Sequence, residues 1–202
     1  MRKIVLLGAL LITSMMSAQD MDVVKGDFDF LKDQKEINIE FDYSKLTLLK
    51  ENKTEAAYVV DRAKELNDKN KGVGDIWKKK WAGAKETIWQ PKFLELVNIV
   101  LAKKKKELSF QEGLTSAKYT LIVESVWIFP GWDAMVMKQP AKVTTNLKFV
   151  ETANRSNVLL EITSENEPGD QYGNNFSNES RIGEGFAKTG KSLAGQILKK
   201  LK

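Results

Sequence analysis

Apolar and polar residues alternate with a period of two in several stretches of this chain. In residues 36–43 the apolar positions are Ile37, Ile39, Phe41 and Tyr43, and the polar ones between them are Glu36, Asn38, Glu40 and Asp42. This spacing is typical of a half-buried strand. Three further stretches, 119–128, 141–151 and 158–163, follow one another closely. They predict an antiparallel meander in which Ile128 and Val143 belong to paired strands.

Other stretches repeat their apolar residues at helical spacing. A helix is predicted over about 54–68, and a second carries the stripe Trp77, Trp81, Ala84 and Ile88. We interpret the tryptophan stripe as core packing rather than as a ligand-stacking surface, because helices normally bury their apolar stripe. Pro91 suits the first turn of a third helix, so residues 76–102 form either two helices or one kinked rod. The last helix follows residue 180, and its regularly spaced small residues predict close approach to a sheet.

The order of elements is therefore β-α-α-β-β-β-α. It predicts the α+β class, with one antiparallel-rich mixed sheet of about four strands that helices cover on one face, as an alpha-beta sandwich. Residues 20–202 are expected to form a single domain, and a polar, Asn-rich segment at about 164–180 predicts a mobile loop within it. That length is enough to bury a core without disulfides.

The first nineteen residues have the order of a secretory signal peptide. Arg2 and Lys3 precede an apolar run over 4–12, which is followed by small residues up to Gln19. The run is too short for a membrane anchor, so no transmembrane span is expected in the mature chain, which is predicted to be periplasmic or extracellular. Removal of residues 1–19 lowers the formal charge from +5 to +3. So small an excess gives no reason to expect nucleic acid as a partner.

The chain contains no histidine and no cysteine. It therefore cannot build a Ser-His-Asp triad, a Cys-His dyad or a zinc site of the usual ligands, and no metal, cofactor or catalytic residue is expected. An enzyme that needs only two carboxyl groups, such as a glycan-active hydrolase, is the alternative that composition leaves open. Its candidate acids are Glu36, Glu40, Asp42 and Asp133.

The segment between the first two meander strands is the best candidate for a binding site. Residues 129–140 exceed the length of a simple hairpin and are unusually apolar for a loop, with Phe129, Trp132, Met135 and Met137. Either the segment folds back as a flap over the core, or these side chains are exposed anchors for a protein partner or a sugar ring. The favoured function is a non-enzymatic binding or assembly module of the cell envelope, whose partner is an envelope protein or a cell-wall polymer.

The second half of the chain resembles a group of small exported bacterial domains. The shared features are a strand that opens "AKYTLIVE", a Pro-Gly-containing excursion, a strand "AKVTTNLKFVET", and the amphipathic helix "RIGEGFAKTGKSLAGQILKKL". These domains are similar in layout to the periplasmic α/β domains of curli-assembly channel proteins, penicillin-binding-protein activators and the TolB amino-terminal domain. The resemblance covers about 117–200 and implies an envelope binding or assembly module, without catalytic residues to carry over. The cysteine of the lipoprotein members is missing here.

Overall fold

The computed structural model describes residues 21–133, 137–169 and 177–201. The predicted signal peptide, residues 1–19, lies outside these ranges, as does Met135 of the predicted binding segment. Helices in the described ranges are α1 Glu55–Lys69, α2 Val73–Ala84, α3 Gln90–Lys103 and α4 Asn178–Lys200. A 3-10 turn spans Asp29–Leu31. A π-helical turn, Lys85–Trp89, joins α2 to α3, so the described residues form three helical rods.

The strands belong to one large mixed sheet and one small hairpin. They are β1 Met21–Gly26, β2 Glu36–Asp42, β3 Thr47–Leu48, β4 Lys53–Thr54, β5 Ser109–Glu112, β6 Tyr119–Phe129, β7 Trp132–Asp133, β8 Lys138–Gln139, β9 Ala141–Glu151 and β10 Asn154–Gly169. The main order across the large sheet is β1-β10-β9-β6-β2-β5, and β3, paired with β4, joins β6 beyond the end of β2. β7 and β8 pair only with each other.

The predicted meander is confirmed. β6, β9 and β10 are antiparallel neighbours, and Ile128 lies opposite Val143 in their register. The mixed character of the sheet is confirmed too, because β2 runs parallel to both β5 and β6.

The predicted number of strands and their order were wrong, since the large sheet has eight strands rather than about four. The missed strands are short or lie at edges. In β1 only Met21 is buried, and in β5 only Phe110. With so few buried positions, neither strand shows the alternation on which the prediction relied.

The predicted start of a mobile loop at residue 164 was also wrong. β10 continues through Gly169, which pairs with Ala141, past an irregularity in register between Ser164 and Glu167. Ser164 and Glu167 are polar and yet buried, so their polarity suggested a solvated segment where the chain is in fact core-facing strand. Residues 170–176 of the predicted loop lie outside the described ranges.

Helices cover one face of the sheet, and the apolar side chains between the two layers form the core. Leu121, Leu147 and Leu160 come from the central strands, and Phe186 and Leu193 come from α4; all five side chains are fully buried. Phe186 stacks on Trp89, with 5.7 Å between ring centroids. The predicted helical cover on one face is therefore present, with α4 against β9 and β10.

The predicted stripe packs into this core. Trp81 and Ala84 are buried, while Trp77 and Ile88 are partly buried against the core. Trp89, which the predicted stripe did not include, is fully buried. The π turn explains why the rings of Trp81 and Trp89 contact each other. The two residues are eight positions apart, but the π turn contains one extra residue, so the rotation about the helix axis is that of about seven α-helical positions. Seven positions are close to two full turns, which places both rings on the same side. The Gln90 amide donates to the Lys85 carbonyl, the five-residue bond of a π turn.

The opposite face of the sheet is polar and centres on Glu124. This carboxylate is 4% exposed and forms ion pairs with Lys45 at 2.7 Å and Lys148 at 3.0 Å. Burial opposes ionisation of Glu124, but hydrogen bonds from Lys45, Lys148 and Asn146 outweigh it and lower its pKa to about 2. The acidic side of β2 also faces this way, where Glu40 pairs with Arg155.

Candidate functional site

A cleft opens between the segment after β6 and the helices α1 and α4. Its volume is about 360 Å³, and one wall is Phe129, Pro130, Gly131 and Trp132. The other wall combines Tyr58, Arg62 and Glu65 of α1 with Asn178 and Arg181 of α4. A cavity of this size is at the lower end of the range, roughly 300–1,000 Å³, of small-ligand sites.

The β7–β8 hairpin holds Trp132 at the rim of the cleft. The Trp132 side chain is 42% exposed, and its Nε1 donates a hydrogen bond of 2.9 Å to Oε1 of Gln139. Gly131 has a φ of 67°, and a Cβ there would lie 2.5 Å from the Gln139 carbonyl oxygen, so the turn into the hairpin requires glycine. The hydrogen bond and the turn therefore restrict the indole without burying it.

The structure separates the four residues of the predicted binding segment. Trp132 and Met137 are exposed, Met137 by 67%, whereas Phe129 is half-buried where β6 ends, and Met135 lies outside the described residues. Trp132 and Phe129 line the cleft. Of the two alternatives, the exposed contact therefore describes Trp132 and Met137 better than the core flap does. A role of these residues in binding stays a prediction.

Tyr58 forms the apolar side of the cleft wall and links it to the tryptophan core. Its ring contacts Trp77 and Trp81, with centroids 5.9 and 5.2 Å away, and the residue is buried. Burial raises the pKa of Tyr58, against the opposing effects of the Arg62 charge and a hydrogen bond with Asn178. The phenol is therefore protonated at neutral pH and is able both to donate and to accept a hydrogen bond.

Arg62 connects α1 to the cleft. Its Nη1 lies 2.6 Å from Oε2 of Glu65, whose other carboxylate oxygen lies 2.6 Å from Nζ of Lys69. The Nε atom of Arg62 is buried and has no hydrogen-bond partner among the described residues. A buried donor without a partner is energetically costly.

Arg181 is the most buried cation of the cleft, at 7% exposure, and Asn178 contacts it from the same helical turn. Burial lowers the pKa of Arg181, and the charges of Asp133 and Glu179 act in the opposite direction. The guanidinium therefore lies near these two acids in the wall of the cleft. The end of β10 sets the position of this helical turn, because Gly169 has no Cβ and a Cβ placed there would lie 1.8 Å from the Arg181 carbonyl oxygen.

A second cavity of about 290 Å³ shares Arg62 and Asn178 with the first. Its remaining wall is more apolar, with Leu66, Val73, Ile76 and Trp77 among the lining residues. Ile76 is one of the exposed large apolar side chains of the described chain. The two cavities share two polar residues, and each has a tryptophan in its wall.

Sequence reasoning missed the helical half of the cleft. The chain has 28 lysines among its 32 basic residues and only four arginines, and two of those four meet here. Arginine is the side chain that forms planar, two-pronged hydrogen bonds, so its rarity was a signal that could have directed attention to Arg62 and Arg181. Their separation of more than a hundred residues hid their proximity.

The candidate acids of the hydrolase alternative do not come together. Glu36 is exposed, and Glu40 is held by both terminal nitrogens of Arg155, at 2.6 and 2.7 Å, which lowers its pKa. Asp42 accepts a hydrogen bond from the Ser44 amide. Asp133 lines the cleft, and none of the other three acids lines it.

A comparison of the chain with protein-family models, with curated proteins and with solved structures finds no match in any of the three. The resemblance to periplasmic envelope domains therefore stays a prediction. Across the described ranges, no group of three acidic side chains is placed to hold a metal ion. No helix within the same ranges is long and apolar enough to cross a membrane.

Proposed function

We propose that this protein is a non-enzymatic binding or assembly module of the cell envelope, and that the cleft beside the β7–β8 hairpin is its contact surface. The observation that supports the proposal most is the exposure of Trp132 at the rim of a cavity that contains two arginines. Tryptophan and arginine are the residues most enriched at the energetic centres of interfaces.

The way the hairpin holds Trp132 favours binding. The bond from Trp132 to Gln139 and the constrained turn at Gly131 reduce the conformational freedom that a ligand would otherwise have to restrict. A contact that is already ordered costs less entropy on binding, which raises affinity without adding new interactions. An exposed tryptophan with no partner would gain nothing from being ordered in this way.

The carboxyl groups of the described residues also fit a binding site better than the active site of a hydrolase. A glycan hydrolase needs a carboxyl group of raised pKa facing a second carboxylate across the substrate. Burial raises the pKa of Glu112 and of Glu167, and neither residue lines the cleft or the cavity next to it. In the cleft itself, Glu65 is bound to Arg62 and Lys69.

The envelope location in this proposal rests on residues 1–19, whose basic, apolar and small segments have the order of an export signal. Cell fractionation of the tagged full-length chain tests it. We expect the processed protein outside the cytoplasm. Uncleaved protein in the cytoplasm would contradict the envelope location but would not bear on binding at the cleft.

The binding proposal is tested by affinity capture from a cell-envelope fraction, with residues 20–202 immobilised. Trp132→Ala removes the exposed anchor, and Ile99→Ala, which truncates another exposed apolar residue outside the cleft, serves as the matched control. We expect molecules that bind the unmodified chain and the control to be lost from Trp132→Ala. The proposal fails if all three proteins, each shown to be folded by circular dichroism, retain the same molecules.

A further inference from the structure

We infer that the cleft binds a neutral sugar ring of a glycan chain, and that the ring stacks on Trp132. This inference rests on the proposed function and assigns a ligand class to the same site. Three features of the described residues carry it: the exposed indole, the balance of charges in the cleft, and the adjoining second cavity.

The first feature is the part of Trp132 that remains available to a ligand. Its N–H already donates to Gln139, so the indole offers a ligand its π face rather than a hydrogen bond. An aromatic face carries partial negative charge and attracts the weakly positive C–H groups of a ring placed above it. A pyranose presents such C–H groups on one face and hydroxyls around its edge, so it can use the indole and the polar wall together.

The second feature is that the charges in the cleft are balanced. The cations Arg62 and Arg181 face the acids Glu65 and Asp133, and the ion pair between Arg62 and Glu65 is short. An anionic or cationic ligand would compete with these pairs and leave a charge without its partner. A neutral ligand rich in hydroxyl groups can instead bond to the donors and acceptors while the pairs remain intact.

Arg62 also offers a specific point of contact, because this residue lines both cavities. Its Nη1 is paired with Glu65, so a neutral acceptor such as a hydroxyl or ring oxygen can bond to the remaining N–H groups without breaking that pair. Tyr58 and Asn178 beside it add groups that both donate and accept, which matches the dual character of hydroxyls.

The third feature is the length of the surface. The first cavity has room for one ring-sized ligand, and the second continues from it through Arg62 and Asn178 to another tryptophan, Trp77. We therefore expect successive units of one glycan chain to occupy the two cavities. Affinity should rise from a monosaccharide to a short oligosaccharide and then level off.

Calorimetric titration of the mature chain with defined sugars tests the inference. The probes are N-acetylglucosamine and glucose oligomers of one to four units, with galacturonic acid oligomers of the same lengths as the anionic counterpart. We expect a neutral oligomer to bind, longer ones more tightly than the monosaccharide, and the anionic series more weakly. Tighter binding of the anionic series, or no heat with any neutral oligomer at millimolar concentration, would overturn the inference.

Variants of the cleft residues then test whether the sugar binds in this cleft. Trp132→Ala should weaken it by about threefold to tenfold, the range that an aromatic stacking contact supports. Trp132→Phe, which keeps a smaller π face, should fall between the two. Arg62→Lys keeps the charge but removes the planar guanidinium and its several N–H donors, so it should weaken binding too, while Ile99→Ala should not. Equal affinity of all variants would contradict the assignment to this cleft.

The outcomes separate this inference from the proposed function. If a protein partner is captured in a Trp132-dependent way and no neutral oligomer binds, the sugar assignment fails and the binding module stands. If neither experiment depends on Trp132, both fail.

Discussion

The contact between α3 and α4 can be tested with two glycines of the same helix. A Cβ at Gly190 would lie 2.4 Å from the Phe93 carbonyl oxygen and 3.3 Å from the Val97 amide nitrogen, both backbone atoms of α3. A Cβ at Gly195 would have no atom of another element within 4 Å, and Gly195 is exposed. Gly190→Ala and Gly195→Ala therefore make the same chemical change in opposite environments.

The two substitutions are expected to change the free energy of unfolding in opposite directions. In a helix interior, alanine is favoured over glycine by about 0.8–1 kcal/mol, so Gly195→Ala should stabilise the protein by nearly that amount. At Gly190 the same gain is opposed by a contact about 1 Å too short for ordinary van der Waals packing. Overpacking costs roughly 1–3 kcal/mol, and we expect the upper end because a backbone oxygen cannot rotate away. Gly190→Ala should then destabilise by about 2 kcal/mol.

Urea denaturation of the mature chain, followed by circular dichroism, measures both effects as changes in the midpoint at constant slope. The difference of roughly 3 kcal/mol between the two variants is well above the error of such measurements. If Gly190→Ala stabilised the protein as much as Gly195→Ala does, α3 and α4 could not approach as closely as described, and the packing that positions α4 would be refuted.

Three further predictions concern other parts of the chain. Because the folded pKa of Glu124 is about 2, below its unfolded value, the stability it contributes is present above about pH 4.5 and is lost as the pH falls towards 2. The free energy of unfolding from urea denaturation should decline by up to about 2–3 kcal/mol across that range, and Glu124→Gln should flatten the decline; parallel curves would contradict this. Thr54→Ala removes the Oγ1 that accepts from the Ala57 amide at the start of α1 and should cost about 1 kcal/mol by the same assay. Gly131→Ala should distort the hairpin and alter fluorescence quenching of Trp132, because a Cβ at this position would lie 2.5 Å from the Gln139 carbonyl oxygen. An unchanged quenching profile would argue against the strained turn.

Long, regular patterns predicted the fold well. β6 and β9 are eleven residues each, and their alternation was enough to place Ile128 opposite Val143. The prediction failed where elements are too short to show a period, as in the two-residue strand β3, or where polar side chains are buried, as at Glu167. The closing helix shows an intermediate case. Its regularly spaced small residues predicted close approach to a sheet, but two of them, Gly183 and Gly190, lie against the π turn and α3. Gly185, which was not among those residues, is the glycine that meets Val143 of the sheet.

The candidate site was predictable only in its local half. An apolar segment with Trp132 between two strands is visible in the sequence, because exposed aromatic residues in a loop are unusual. The other half depends on which turn of α1 faces which turn of α4, and no local pattern contains that information. The acids on β2 show that a row of carboxylates need not form a site, since they face a polar sheet surface where Arg155 binds Glu40.

The packing that stabilises this fold also places the polar wall of the cleft. Gly185 lets α4 approach β9, and Gly169 lets the end of β10 pass the Arg181 carbonyl, so the first turns of α4 are held between strand and helix. Trp89 reinforces this position, because its Nε1 donates to the carbonyl of Glu179 in the same turn. Asn178 and Arg181 therefore project from a rigid element, and Trp132 projects from a constrained hairpin. We therefore expect the proposed site to discriminate between ligands by shape.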